Sequence, residues 1–282
     1  MREIVSPLRY PGGKSRAVKA ILPLLPRGIA EFREPFVGGG SVFLAAKQAR
    51  QRAARFVIND LNFDLICFWR FAQSDNAALY EAVKHVKNTE KDGRKLFYDY
   101  MERDDYADFE RAVRFFVLNR ISFSGTVDSG GYSEGAFRGR FTYSAIERVK
   151  PLAEILRGIE IHNQSYEERL FADGDEVFIF LDPPYYRQKK SRLYGKNGSL
   201  HLSFDHRKFA ENMRRCPHRW LITLDNTDCI KELFDFAYIY EWELQYGMNN
   251  YKQDGAAIGQ ELFIANYEIP MAAPCREQAL FV

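Results

Sequence analysis

Phe180-Leu181-Asp182-Pro183-Pro184-Tyr185 decides how this chain is read. The run from Val177 to Leu181 is apolar throughout, which predicts a strand buried on both faces. Two prolines then end it abruptly. In an open α/β sheet, ligands bind at the carboxyl ends of the strands. Prolines fix φ and donate no hydrogen bond, so the loop is stiff and offers acceptors only. The Asp182 carboxylate and the Pro183 carbonyl, beside the Tyr185 ring, suit a flat heterocycle carrying an exocyclic amino group. The competing reading is an ordinary strand and proline turn with Tyr185 as a core aromatic.

Upstream, Ala30 to Phe36 reads as a strand, Val37-Gly38-Gly39-Gly40 as a glycine turn, and Ser41 to Ala46 as the start of a helix. Glycines let backbone approach a ligand closely, and a helix N-terminus receives polar or anionic groups. The Gly-x-Gly-x-x-Gly spacing of dinucleotide enzymes is absent, because Phe43 stands three places after Gly40. A nucleoside without phosphates therefore fits better than a pyrophosphate. The next strand, Ala54 to Asn59, ends at Asp60, which follows Gly38 by 22 positions. An acid there holds ribose hydroxyls, or it caps the helix that begins near Asn62. Before all of this, Tyr10-Pro11-Gly12-Gly13-Lys14 forms a basic turn that is not a phosphate-binding P-loop. Ser144 is expected to cap a helix, with Glu147 completing a capping box, and a strand over 159–165 ends at Ser165-Tyr166.

Two stretches are basic. Residues 122–141 read as a loop or hairpin rich in Gly, Ser and aromatics, with Arg120, Arg138 and Arg140 nearby. Either it is a mobile loop, or it enters a DNA groove with arginines on phosphates or guanine. After Tyr185, the segment holding Arg187, Lys189, Lys190, Arg192 and Lys196 carries no acid until Asp205. It is a solvated loop or a contact to phosphates. Residues 75–120 read as charged helices. Beyond Asp205, a helix, a strand over 220–224, a short helix and an antiparallel pair are expected.

The chain has 282 residues, 46% of them hydrophobic, and a formal net charge of +2. That supports one large α/β domain with an insert, and any nucleic-acid contact must rest on local patches. Cys67, Cys216, Cys229 and Cys275 form no Cys-x-x-Cys pair, which speaks against structural zinc and disulfides. Without an apolar signal core or a long apolar run, a cytoplasmic location is expected, with no membrane contact.

Taken together, Tyr10-Pro11-Gly12-Gly13-Lys14, Glu34-Pro35-Phe36-Val37-Gly38-Gly39-Gly40-Ser41-Val42-Phe43, Asn59-Asp60-Leu61-Asn62 and Asp182-Pro183-Pro184-Tyr185 resemble, in this order, the Dam family of α-group, S-adenosyl-L-methionine-dependent DNA adenine N6 methyltransferases. The resemblance covers nearly the whole chain. It implies an α/β fold, a Rossmann-like class I methyltransferase sheet with a mainly helical target-recognition insert. The catalytic domain then spans 1–74 and 144–282, and the insert spans 75–143. It also implies that Tyr10, Lys14, Phe36, Gly38, Gly40, Asp60, Ser165, Tyr166 and Asp182 bind the cofactor. Asp182, Pro183 and Tyr185 serve the target base. Arg120, Ser124, Thr126, Asp128, Arg138, Arg140, Arg187, Lys189 and Lys190 contact double-stranded DNA. Relatives with Asp at the first motif position act on adenine, whereas Ser there is commoner in cytosine N4 enzymes.

Two departures stand out. Ser165-Tyr166 replaces the Asp-Tyr of many relatives. Asp128 occupies the place where GATC-methylating members carry a guanine-reading arginine, and an Asp cannot donate to guanine, so a site other than GATC is expected. No metal is expected, a monomer is, and a cognate restriction endonuclease acting on the same site is a partner the resemblance allows. The rival readings are a catalytically silent nucleic-acid-binding regulator on the same fold, an RNA adenine methyltransferase, and a dehydrogenase.

Overall fold

Seven strands make one sheet: β1 (Glu31–Glu34), β2 (Arg55–Asn59), β3 (Glu160–His162), β4 (Val177–Leu181), β5 (Arg219–Asp225), β6 (Tyr238–Gln245) and β7 (Ile258–Ala265). The computed structural model describes residues 4–10, 12–49, 55–127, 129–186, 204–245 and 258–270. Strand order is β3-β2-β1-β4-β5-β7-β6. Strands β1 to β5 pair in parallel, and β7 runs antiparallel to β5 and β6. This is the Rossmann-like sheet expected from the sequence, including the closing antiparallel pair.

Alternation along β4 explains its apolar run. Phe178 and Phe180 enter a core cluster with Phe32 and Phe56 on one side of the sheet. Val177, Ile179 and Leu181 join Ile222, Leu224 and Ile264 on the other. The strand order reverses at β1 and β4, whose connections leave in opposite directions. A crevice opens there, outside the carboxyl ends of the strands.

The helices are α1 (Val18–Ile21), α2 (Ser41–Gln48), α3 (Phe63–Ser74), α4 (Asn76–Thr89), α5 (Gly93–Glu102), α6 (Asp108–Ile121), α7 (Glu134–Gly139), α8 (Tyr143–Glu147), α9 (Leu152–Ile155), α10 (Tyr166–Leu170), α11 (His206–Arg215) and α12 (Asp228–Leu233). Residues 75–143 are mainly helical. Their apolar faces (Leu79, Val83, Phe97, Phe116 and Phe137) merge with the core that covers Phe32 and Phe178.

Two local expectations need correction. Thr142, not Ser144, caps α8, accepting from the Ala145 amide at 3.3 Å. Glu147 does not turn back to form a capping box; it pairs with Lys150 at 2.8 Å. Residues 122–141 are not a regular hairpin. A single antiparallel bridge, Ser122 to Tyr132, closes a turn in which Ser124 and Val127 adopt φ of 54° and 55°, and α7 follows.

Among the described residues no helix is long and apolar enough to cross a membrane. Among them, likewise, no group of three or more His, Cys, Asp or Glu side chains is placed to hold a metal.

Candidate active site

The carboxyl ends of β1, β2 and β4 open into a cavity of about 320 Å³, within the size range of small-molecule sites. Tyr10, Lys14, Phe36, Gly38, Gly40, Asp60, Ser165, Tyr166, Asp182, Pro183 and Tyr185 all line it. Every residue expected to serve the cofactor or the target base is therefore in one place, although they come from five separated stretches of sequence.

The glycine turn between β1 and α2 forms the floor. Gly38 and Gly40 have φ of 43° and 68°. A Cβ on Gly38 would lie 2.8 Å from the Tyr10 ring, and one on Gly40 would lie 2.6 Å from Phe43 and 2.8 Å from Trp69. Helix α3 supports the turn from beneath, where Trp69 Nε1 donates to the Gly38 carbonyl at 3.2 Å. Asp60, one residue past β2, accepts from the Gly38 amide and from the Asn62 amide, both at 3.0 Å. It thus ties the turn to the start of α3, where Asn62 is the N-cap, so it braces the helix entry without being the cap. Burial pushes its carboxyl up to about 6, against the hydrogen bonds from Asn62, Gly38 and Leu61 that pull it down.

At the tip of β4, Asp182 sits between two partners. Lys14 Nζ lies 2.8 Å from Oδ1 and 3.0 Å from Oδ2. Thr223, fully buried on β5, donates to Oδ1 at 2.8 Å. Lys14 is itself buried and reaches over the Tyr185 ring, 4.8 Å from its centroid. The loop is pinned at two more points. His206 Nε2 is 2.8 Å from the Pro184 carbonyl, and the Tyr186 amide donates to Asp225 at 2.8 Å.

Phe36 and Tyr166 stack at 5.3 Å on another wall, with Phe204 5.8 Å from Phe36 and 5.9 Å from Tyr166. Ser165 and Gln164 lie beside them. The Asn59 side chain holds Gln164 through both its backbone amide and its carbonyl.

Sequence reasoning passed over Glu34. It is buried at the end of β1 and lines the cavity, and its Oε2 has no hydrogen-bond partner. Burial, and then the Asp182 carboxylate, hold its carboxyl well above the usual range. The only signal was an acidic residue closing a buried strand. Thr223 was passed over too; a hydroxyl inside the apolar run of β5 was its signal.

The residues expected on DNA are a mixed set. Arg120 is buried on α6, not on the surface, because that face of the helix packs inward. The Thr126 hydroxyl donates to the Phe123 carbonyl at 2.8 Å within its own turn. Arg138 is exposed and pairs with Glu134 one helical turn away. Arg140 is exposed at the end of α7, and Ser124 lies in the strained turn described above. Phe123, beside it, exposes 68% of its surface. Asp128, Arg187, Lys189 and Lys190 lie outside the described residues.

The model of the D12 class N6 adenine-specific DNA methyltransferases matches residues 10–248, from the Tyr10 turn to beyond β6. The chain belongs to that family. It is 26% identical over 274 residues to the type II methyltransferase M.CviBI of Paramecium bursaria Chlorella virus NC1A, covering 92% of this chain and 98% of that one. It is 27% identical to the DNA adenine methylase of Escherichia coli K12 over 183 residues, or 63% and 64% of the two chains. Against the type II methyltransferase M1.LlaDCHI of Lactococcus lactis subsp. cremoris, identity is 29% over 191 residues, again 63% and 64%. This D12 chain is thus an adenine-specific DNA methyltransferase, and its cavity is the place to look for the methyl donor and the target base.

Proposed function

We propose that this cavity holds S-adenosyl-L-methionine beside an adenine flipped out of duplex DNA, and that methyl transfer to N6 takes place at a short sequence other than GATC. The observation that carries the reading is the excess of carboxyl groups. Glu34, Asp60 and Asp182 face one buried ammonium, Lys14. Such a site repels phosphates and attracts a cation, which favours a sulfonium amino acid and disfavours a dinucleotide. The glycine floor admits a flat nucleoside, and the Phe36, Tyr166 and Phe204 rings suit its base.

The residues divide the work by chemistry. Asp60 accepts from ribose hydroxyls. Glu34, with its unpartnered Oε2, accepts from the amino acid ammonium. S-adenosyl-L-methionine supplies an electrophilic methyl group. Asp182 and the Pro183 carbonyl accept the two N6 hydrogens of the target adenine, and Tyr185 stacks on its ring. The N6 lone pair is conjugated with the ring, and hydrogen bonds to both amino hydrogens favour a more tetrahedral, more nucleophilic nitrogen. On transfer the donor's S–CH3 bond would break to leave a neutral thioether, and the proton that N6 sheds would pass along its hydrogen bond toward Asp182. Flipping costs a few kcal/mol, and stacking returns about 1–3 kcal/mol. Positioning supplies much of the rate.

Asp182→Ala tests the assignment. It abolishes methyl transfer to duplex DNA while cofactor binding stays measurable; retained turnover removes Asp182 from its role. A cognate endonuclease acting on the same site, and a monomeric state, fit this reading.

A further inference from the structure

Pro183 and Pro184 carry no N–H, so the turn that ends β4 has no amide at these two positions with which to hold itself. It is held from outside, at the two peptide groups that flank Tyr185. On one side, His206 Nε2 lies 2.8 Å from the Pro184 carbonyl. A carbonyl only accepts, so Nε2 carries the hydrogen. On the other side, the Tyr186 amide donates to Asp225 Oδ1 at 2.8 Å. A peptide group is planar. The first contact therefore fixes the plane that enters Tyr185, and the second fixes the plane that leaves it. With both planes held, φ and ψ of Tyr185 are set, and with them the direction in which its ring leaves the backbone.

Both anchors sit on firm ground. Asp225 is buried at the end of β5, an inner strand between β4 and β7. His206 is only 3% exposed and opens α11. Asp205 caps that helix, accepting from the Arg207 and Lys208 amides at 3.0 Å and 3.1 Å. The His206 ring stands edge-on to Tyr186 and to Phe204, with centroids 5.3 Å and 4.9 Å away. These contacts restrict its rotation, so its Nε2 stays aimed at the carbonyl.

Neither His206 nor Asp225 lines the cavity, whereas Tyr185 does. Stacking demands that the ring lie parallel to the target base while Asp182 and the Pro183 carbonyl hold N6, so a turn of the Tyr185 backbone spoils the fit. We propose that His206 and Asp225 are the positioning residues of Tyr185, aiming its ring at the flipped adenine from either side of its backbone. The inference rests on the stacking role given to Tyr185 above. It also gives a use to two buried polar side chains that lie outside the cavity.

His206→Phe in the full chain tests it. Phe keeps a flat ring among Tyr186 and Phe204 and removes the donor. Under excess enzyme, single-turnover methyl transfer to duplex DNA falls on the order of 10- to 100-fold, while affinity for S-adenosyl-L-methionine is unchanged. His206→Gln, whose side-chain amide donates from a similar reach, recovers most of the rate. In a Tyr185→Ala background, His206→Phe causes no further loss, because the ring it aims is gone. A merely structural role would lower the rate in both backgrounds and would not be rescued by Gln. A wild-type rate in His206→Phe overturns the proposal, and so does a Gln variant as slow as Phe or an equal loss in the Tyr185→Ala background. If His206→Phe does not fold, Asp225→Leu, which removes the acceptor on the other side of Tyr185, must show the same dependence on Tyr185; a wild-type rate there, or an equal loss without the Tyr185 ring, overturns it. A Tyr185→Ala enzyme of full activity ends the stacking reading itself, and the positioning role with it.

Discussion

Lys14 Nζ bridges both carboxylate oxygens of Asp182, at 2.8 Å and 3.0 Å, across 168 positions of sequence. The contact joins the N-terminal turn to the tip of β4 and fixes the plane of the carboxylate. With Lys14 and Thr223 both on Oδ1, a lone pair of Oδ2 remains open to a further donor. Lys14 also braces Tyr185 from above its ring, so one ammonium positions both halves of the base-binding motif.

Lys14→Met is therefore expected to slow methyl transfer more than it weakens cofactor binding. A misplacement of about 1 Å at the reacting centre costs on the order of 100-fold. Single-turnover methylation gives the rate and equilibrium binding of S-adenosyl-L-methionine gives the affinity. A wild-type rate contradicts the bridging role.

Thr223→Val removes one donor from Asp182 Oδ1 and little else, since the two side chains share a shape. We expect turnover to fall about tenfold, equivalent to roughly 1.4 kcal/mol, with KM for the cofactor unchanged. Combined with Asp182→Ala, the second substitution adds nothing, because the group it orients is gone.

Gly38→Ala places a methyl 2.8 Å from the Tyr10 ring at a φ of 43°. Both the clash and the strained backbone predict loss of cofactor affinity. Gly131 is the control: a methyl at that position would meet nothing within 4 Å, and its φ is not positive. Gly131→Ala therefore binds cofactor normally. Calorimetry on the two variants separates them; equal affinities contradict the close approach of Tyr10 to the floor.

The pH dependence of cofactor binding carries a sign. Burial raises the Asp60 carboxyl to about 6, so it is ionised above that pH and accepts ribose hydroxyls. Protonation as pH falls through 6 removes an acceptor, so Kd rises by up to about tenfold per unit below it. Glu34, also raised by burial, acts in the same direction toward an ammonium. Asp60→Asn binds more weakly at neutral pH and shows a shallower dependence. A Kd in the wild type that improves on acidification contradicts both assignments.

Much of the site was legible because its residues stand at strand tips. An apolar run stopped by Pro183 and Pro184, a glycine turn after Phe36 and an acid after Asn59 each mark the carboxyl end of a strand, and the sheet brings those ends together. Glu34 was less legible, since an acid at the end of a strand is ordinary until burial and an unpartnered oxygen single it out. The insert resisted for local reasons. Thr142 and Ser144 are both good caps, and Glu147 stands at capping-box distance from the wrong one. Arg120 looked like a surface cation because sequence does not show which side of α6 packs inward; Arg114 on the same helix is buried by a salt bridge that only the fold creates.

The most direct test is single-molecule sequencing of DNA from an unmethylated host that expresses the protein, beside a host expressing Asp182→Ala. The account predicts N6-methyladenine in one short sequence context, not GATC, and none with the variant. A GATC context would correct the specificity and leave the reaction standing. Unmodified DNA from a host whose purified protein binds both S-adenosyl-L-methionine and duplex would contradict the central claim.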